Sequence, residues 1–367
     1  MPDRYPRLRS CLRLIKPYIP GKSREAIARE LGLTDIVKLA SNENPLGPSP
    51  LALEAIGHHC QEIHYYPDSN GYNLREALAK KQGIKKEQII LGNGSDELIG
   101  LLTQAYLQPG EEAVTIYPTF SEYEIAVRKA GGTITYFPLE RPDFNYNLDV
   151  ILSHLTEKTR LVFICSPNNP TGTIIPWQKI TQFIEKLPAG LLVVLDEAYV
   201  EYVADPGYGC SIRLIKQHFP VISLRTFSKI YGLAGLRIGY AIAPEKIISD
   251  LNRIRDPFNV NSLAQAAALA ALADEQHLKK SLRLVEKGRR QLTQGLAAMG
   301  LAPIPSRANF IFLDVGINSQ KIFTQLLKKG IIIRSGDIFG FPTFIRVTIG
   351  TEQQNHRFLE ALAGILK

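Results

Sequence analysis

The most reactive side chain that the sequence offers is Lys229, which stands between a predicted buried strand and a glycine-rich loop. The apolar run 221–224 precedes it, and the segment 232–239, Gly-Leu-Ala-Gly-Leu-Arg-Ile-Gly, follows it. Burial disfavours the charged ammonium form, so a lysine in such a place can lose its proton. A neutral amine is a nucleophile that forms a Schiff base with an aldehyde. A solvated loop lysine is the alternative, and the neighbouring motifs must decide between the two.

Two polar side chains are expected at the carboxyl ends of neighbouring strands. Asp196 follows the apolar run 191–195, and Asn169 lies in the turn after the run 161–165. In an open parallel sheet, ligands bind where the strands end. A carboxylate there can keep a heterocyclic nitrogen protonated, and a side-chain amide can donate to a phenolate oxygen. A helix cap for Asp196 and an ordinary turn for Asn169 are the alternatives.

A candidate anion site lies in the segment 92–97, Gly-Asn-Gly-Ser-Asp-Glu, which precedes an apolar helical pattern. Backbone amides at a helix N-terminus bind anions, and Ser95 adds a hydroxyl group. Arg237 and Ser228, on either side of Lys229, can contact the same phosphate. A phosphate site, a carboxylate for a ring nitrogen, an amide for a ring oxygen and an amine for an aldehyde together match the functional ends of pyridoxal 5'-phosphate.

The elements that must position these residues follow an α/β pattern. Apolar runs without polar alternation predict strands that are buried on both faces. Helical patterns between most of them indicate a parallel sheet with right-handed crossovers. The runs are 113–117, 161–165, 191–195, 221–224 and 239–243. We expect an N-terminal arm over 1–48 that packs with the small domain, a large cofactor-binding domain over 49–258 and a small C-terminal domain over 259–367.

Composition restricts the classes of function. Hydrophobic residues make up 45% and charged residues 21%, which is typical of a soluble globular protein. No apolar stretch is long enough to span a bilayer, so we expect a cytoplasmic location. The cysteines are scattered without the spacing of metal ligands, and no metal is expected. The net charge of +8 is spread along the chain, apart from a short basic cluster near the N-terminus.

Over nearly its full length the sequence resembles the fold type I pyridoxal-phosphate-dependent aminotransferases and, within them, the histidinol-phosphate aminotransferases. Besides the motifs above, the resemblance rests on the segment 39–47, Leu-Ala-Ser-Asn-Glu-Asn-Pro-Leu-Gly, and on the segments 16–21, 66–68 and 345–351. The fold that it implies is a fold type I PLP-transferase, with a large domain whose mostly parallel sheet is flanked by helices, plus a smaller α+β domain.

The resemblance also implies a role for each site residue. Lys229 is expected to carry the cofactor and to move a proton, with Asp196 at the ring nitrogen and Tyr199 at the ring oxygen. Phe120 is expected to stack on the ring, and Tyr66 to reach the phosphate from the neighbouring subunit of a homodimer. The implied cofactor-binding residues are Lys229, Asp196, Asn169, Tyr199, Phe120, Gly94, Ser95, Thr226, Ser228, Arg237 and Tyr66. The implied substrate-binding residues are Arg346, Arg334, Tyr18, Asn309 and Tyr66.

The reaction that the resemblance implies is transfer of an amino group between glutamate and imidazole-acetol phosphate, which gives 2-oxoglutarate and histidinol phosphate in histidine biosynthesis. An aromatic amino-acid aminotransferase, or an enzyme with both activities, is the nearest alternative. A decarboxylase acting on threonine phosphate is a further one. A pyridoxal-phosphate-binding regulator or nucleic-acid-binding module without catalysis has only the net charge of +8 in its support.

Overall fold

The computed structural model describes residues 7–15, 24–204, 208 and 211–367. Strands and α-helices together form its core. The strands are β1 Val37–Lys38, β2 Ile89–Gly92, β3 Glu112–Tyr117, β4 Thr133–Pro138, β5 Thr159–Cys165, β6 Leu192–Asp196, β7 Val221–Thr226, β8 Gly239–Ile242, β9 Phe310–Asp314, β10 Ile331–Ile332, β11 Arg334–Ser335 and β12 Phe344–Thr348. The α-helices are α1 Arg24–Leu31, α2 Pro50–His59, α3 Tyr72–Gln82, α4 Ser95–Tyr106, α5 Glu122–Ala130, α6 Leu148–Ser153, α7 Trp177–Glu185, α8 Ile212–Lys216, α9 Glu245–Asn252, α10 Ser262–Ala273, α11 Glu275–Ala297, α12 Ser319–Lys328 and α13 Glu352–Leu366.

The largest sheet has seven strands in the order β2-β8-β7-β6-β5-β3-β4. Strands β3, β5, β6 and β7 pair in parallel, as the apolar runs predicted, and β4 adds a further parallel pair beside β3. The run 239–243 also forms a strand, but our assignment of it to the parallel set was wrong, because β8 is antiparallel to both of its neighbours. The connection from β7 to β8 contains only a short 3-10 turn, whereas a parallel return needs a crossover. Strands β2 and β4 were not predicted from the sequence.

Alternate side chains of the central strands enter two separate apolar clusters. In β5, for example, Val162 and Ile164 face one cluster, while Leu161 and Phe163 face the other. Helices α3, α7, α8 and α10 cover the first face, and α4, α5 and α9 cover the second. Burial on both faces explains why these strands are apolar runs rather than alternating patterns. It also leaves the strand ends as the place where polar groups can meet a ligand.

A three-stranded antiparallel sheet, in the order β11-β12-β9, forms near the C-terminus. Its register places Arg334 opposite Arg346. A two-stranded sheet joins β1 to β10, with Val37 opposite Ile331. Segment 37–38 of the expected N-terminal arm therefore pairs with the C-terminal part of the chain, while the boundaries at 48 and 258 stay a prediction. None of the helices in the described ranges is long and apolar enough to cross a membrane, and the cytoplasmic location stays a prediction.

Candidate active site

A cavity of about 290 Å³ opens where the carboxyl ends of β5, β6 and β7 meet the N-terminus of α4 and the strands β11 and β12. It gathers most of the side chains that the sequence singled out. Those of the predicted residues that line it are Ser95, Phe120, Asn169, Asp196, Tyr199, Thr226, Ser228, Lys229, Arg237, Arg334 and Arg346. The other lining residues are Ala40, Ser41, Asn42, Glu43, Asp96, Cys165, Ala198 and Ala234.

Lys229 follows β7 and reaches the cavity with its amine. Its Nζ donates to the carbonyl of Ser41 at 3.2 Å and lies 5.7 Å from the centre of the Tyr199 ring. Burial of the amine, followed by the nearby positive charge of Arg346, lowers the pKa of Lys229 to about 8. The amine is therefore far more often neutral near physiological pH than an ordinary lysine, which is the property that a nucleophile or a base needs.

Asp196 ends β6 and is buried, with both carboxylate oxygens hydrogen-bonded. Tyr123 donates its hydroxyl to Oδ2 at 2.6 Å, and the backbone amide of Ala198 donates to Oδ1 at 3.1 Å. The bond to Ala198 closes a local Asx turn, and the short 3-10 helix that follows begins at Val200 with Tyr199 as its N-cap, so the alternative of a helix cap for Asp196 does not hold. Burial raises the pKa of Asp196 to about 6, with the two hydrogen bonds acting against it. A cationic partner in the cavity would favour the ionised form further.

Asn169 and Tyr199 are each held by a hydrogen bond from a neighbouring side chain. Arg346 donates through Nη1 to Asn169 Oδ1, so the amide nitrogen of Asn169 is the atom turned away from the arginine. The side chain of Asn42 donates to the hydroxyl oxygen of Tyr199 at 2.9 Å. Burial raises the pKa of Tyr199, which keeps its hydroxyl protonated and able to donate. Both groups can therefore donate to one oxygen of a ligand.

The N-terminus of α4 forms a cradle with Arg237. Gly94 caps this helix with φ of 78°, and a Cβ atom there would lie 2.6 Å from Arg237 Nη2, so no other residue fits without displacing the guanidinium. Arg237 also pairs with Asp96 at 3.0 Å. This cradle brings together backbone amides of the helix, the hydroxyl group of Ser95 and the guanidinium group of Arg237. These are hydrogen-bond donors of the kind that bind a phosphate group. The site therefore fits the phosphate end of pyridoxal 5'-phosphate.

Two further arginines, Arg334 and Arg346, line the cavity. Arg334 and Arg346 are cross-strand neighbours on β11 and β12, so their side chains leave the same face of the sheet. Arg346 is buried, donates through Nη2 to the carbonyl of Ala40 at 2.7 Å and lies 5.4 Å from the Phe310 ring centre. Like charges in a cross-strand pair repel each other, and an anionic ligand between them relieves that repulsion.

Three of the predicted site residues within the described ranges do not line this cavity. Gly94 lies beside it, in the cradle. Asn309 donates to the backbone carbonyl of Asn42 at 2.9 Å, so it supports Asn42 and, through it, Tyr199. Tyr66 is 82% exposed and stacks on Phe258, with ring centres 4.6 Å apart. The predicted contact of Tyr18 lies outside the described residues.

Two residues that shape the site were not predicted from the sequence. Asn42 lies in the polar segment 39–47, which carried part of the resemblance, and its backbone adopts a left-handed φ of 57° that places its amide near Tyr199. Tyr123 lies within α5 and looks like any aromatic core residue in the sequence. Its contact with Asp196 spans 73 positions of the chain and depends on how α5 packs on the sheet.

Comparisons with known proteins agree with this geometry. The model of the family aminotransferase class I and II matches residues 34–362. A histidinol-phosphate aminotransferase from Moorella thermoacetica is 51% identical over 362 residues, which cover 98% of this chain and 93% of that protein. Another, from Caldicellulosiruptor saccharolyticus, is 45% identical over 358 residues, with coverage of 98% and 99%.

The same similarity extends to solved structures. The crystal structure of histidinol-phosphate aminotransferase from Sinorhizobium meliloti, in complex with pyridoxal-5'-phosphate, matches with a TM-score of 0.90 at 29% identity. The match covers 99% of this chain and 98% of that one. The fold class and the resemblance expected from the sequence are thus confirmed, and the chain belongs to the aminotransferase class I and II family.

Proposed function

We propose that this protein is a pyridoxal-phosphate-dependent aminotransferase that exchanges an amino group between histidinol phosphate and 2-oxoglutarate. The observation that carries the proposal is the convergence, on one cavity of about 290 Å³, of a lysine whose pKa is lowered to about 8 and a buried carboxylate, beside an anion cradle. Similarity to histidinol-phosphate aminotransferases over almost the whole chain supports the choice of substrate.

Each protein group has a distinct part in this reaction. When bound, the cofactor supplies an aldehyde and an electron-withdrawing ring that stabilises negative charge formed on the substrate. Asp196 holds the proton on the ring nitrogen, which preserves the electron-withdrawing power of the ring. Asn169 and Tyr199 donate to the ring oxygen. The Nζ of Lys229 takes the α-proton of the substrate and later returns a proton, acting as general base and then general acid.

The arginine pair accounts for the use of two different substrates at one site. A guanidinium group forms two parallel hydrogen bonds equally well with a carboxylate and with a phosphate. We infer that Arg346 and Arg334 bind the anionic end of glutamate in one half-reaction and that of histidinol phosphate in the other. Arg346 is already oriented by Asn169 and Ala40, so little side-chain entropy is lost when a substrate binds.

A substrate panel tests this function directly. Purified protein loaded with pyridoxal phosphate should convert histidinol phosphate and 2-oxoglutarate with a kcat/KM at least about tenfold higher than that for phenylalanine, because only the former offers a dianionic phosphate to the arginines. Absorbance of the cofactor gives the rates. A higher kcat/KM for phenylalanine would replace the proposal with an aromatic aminotransferase. Release of carbon dioxide from threonine phosphate would indicate a decarboxylase, and salt-sensitive DNA binding without turnover would indicate a binding protein.

We also propose that two copies of the chain share their active sites through Tyr66. Its ring is 82% exposed and stacked on Phe258, and Ile63, Tyr65 and Ile254 are exposed apolar side chains in the same two segments. Exposed aromatic and aliphatic groups of this kind are typical of a surface that binds a partner.

Subunit complementation checks the shared site. Chains with Tyr66→Ala and chains with Lys229→Ala should each be nearly inactive. If Tyr66 acts on the partner's cavity, a mixed dimer contains one site with both changes and one site with neither. Mixing after mild dissociation should then restore about a quarter of the parent activity, by random pairing of equal amounts. Mixtures that stay as inactive as their components would show that Tyr66 does not act across subunits.

A further inference from the structure

Tyr123 lies beneath the cavity and takes no direct part in the proposed reaction. It is fully buried on α5, the helix that follows β3. Its hydroxyl donates to Asp196 Oδ2 at 2.6 Å, while the amide of Ala198 donates to Oδ1 at 3.1 Å. With one donor on each oxygen, the carboxylate group cannot rotate without breaking a buried hydrogen bond.

The ring of Tyr123 packs against Phe120, another side chain that lines the cavity. It stacks in parallel on Phe163, with centres 4.8 Å apart and planes at 13°, which fixes its orientation against β5. It also meets Phe120 edge-on, with centres 5.7 Å apart and planes at 87°. Phe120 and Asp196 both line the cavity, whereas Tyr123 does not. One buried residue therefore supports both the carboxylate and the aromatic side chain that face a bound ring.

We propose that Tyr123 is a positioning residue for the cofactor: its hydroxyl aims the Asp196 carboxylate at the ring nitrogen, and its ring holds Phe120 against the face of the same ring. This inference rests on the proposed cofactor, because a ring nitrogen gives Asp196 its partner. It adds a function to a side chain that has no direct contact with the cavity.

Electrostatics support the assignment. Burial raises the pKa of Asp196, whereas the hydrogen bond from Tyr123 lowers it and so favours the carboxylate. Burial also raises the pKa of Tyr123 itself, so its hydroxyl stays a donor at physiological pH. The amide of Ala198 also lowers the pKa of Asp196, whereas the negative charges of Asp96 and Glu197 raise it. The charge of Asp196 in turn raises the pKa values of Cys165 and Tyr199. Removal of the Tyr123 hydroxyl therefore favours protonation of Asp196.

Tyr123→Phe tests the proposal, with Tyr136→Phe as a matched control. Tyr136 donates to the carboxylate of Glu124, also on α5, at 2.9 Å, and it does not line the cavity. We expect Tyr123→Phe to raise the Kd for pyridoxal phosphate about tenfold near neutral pH, measured by fluorescence titration of the cofactor-free protein. The pH below which affinity is lost should also shift upward. The control should keep the Kd within about twofold and the pH profile of the parent.

A double-mutant cycle separates a positioning role from general loss of structure. In the Asp196→Asn background, Tyr123→Phe should add little to the loss of affinity, because the charge through which Tyr123 acts is gone. Equal effects of Tyr123→Phe in both backgrounds would overturn the proposal, as would a Kd and pH profile indistinguishable from the Tyr136→Phe control. If the parent protein itself failed to bind pyridoxal phosphate, the proposed function would fail rather than this inference alone.

Discussion

Replacement of Lys229 with alanine is expected to lower multiple-turnover transamination by about 10⁴-fold, because in the proposed mechanism one amine serves as the attachment point for the aldehyde and as the proton carrier. The change also removes the hydrogen bond from Nζ to the carbonyl of Ser41. Steady-state rates with the preferred amino donor measure the effect. Reductive trapping with borohydride should place the pyridoxyl group on Lys229 in the parent protein, and the variant should contain no stably trapped cofactor.

Lys246→Ala is the matched control, because Lys246 is exposed and pairs with Asp250 on the surface of α9. It should keep the rate and the trapping of the parent. Persistence of full multiple-turnover activity in Lys229→Ala would mean that another group is the base. Trapping of the cofactor on a different lysine would assign the attachment point elsewhere.

The lowered pKa of Lys229 also predicts how the free energy of unfolding depends on pH. Between about pH 8 and 10.5 the unfolded chain keeps a proton that the folded chain has released, so this residue makes the free energy of unfolding rise with pH over that range. Below about pH 8 the folded protein carries the cost of a buried charge. Cofactor-free Lys229→Ala should therefore have a Tm at neutral pH that is no lower than that of the parent.

Asp196→Asn is expected to cause the second-largest loss of catalytic activity. It is also expected to raise the stability of the cofactor-free protein. Loss of the buried carboxylate would remove the proposed ion pair with the protonated ring nitrogen and should lower kcat by about 10³-fold. Without the cofactor, however, the ionised Asp196 destabilises the fold. The rise of its pKa from the usual 3.8 to about 6 corresponds to up to about 3 kcal/mol at neutral pH, which the neutral amide avoids.

The raised pKa of Asp196 also determines the pH range over which this residue changes the free energy of unfolding. Between pH 3.8 and about 6 the folded chain holds a proton that the unfolded chain has released, so this residue makes stability fall as pH rises through that window. Cofactor-free Asp196→Asn should lack that decline and unfold at a higher Tm than the parent at neutral pH. Calorimetry at several pH values measures it. A variant that loses both activity and stability would show that Asp196 acts mainly through the buried hydrogen bonds that it accepts from Tyr123 and Ala198.

The sequence by itself predicted the central strands and the groups at their ends. The apolar runs predicted the ends of β3, β5, β6 and β7 to within a few residues, because strands that are buried on both faces must be apolar along their length. Lys229, Asp196 and Asn169 directly follow or end such strands, so their convergence could be inferred from topology. Strand β2 has only three consecutive apolar residues before Gly92, and β4 lies at the edge of the sheet with one buried residue, so neither left a clear pattern.

Only the tertiary structure decided which side chains hold those groups in place. The Tyr123–Asp196 and Arg346–Asn169 bonds join residues 73 and 177 positions apart, and the cross-strand pairing of Arg334 with Arg346 depends on register. Local patterns report burial and backbone geometry, but a hydrogen bond across the fold depends on the relative placement of whole elements. The reactive groups could therefore be predicted from sequence, while their orientation and their pKa values could be obtained only from the packed structure.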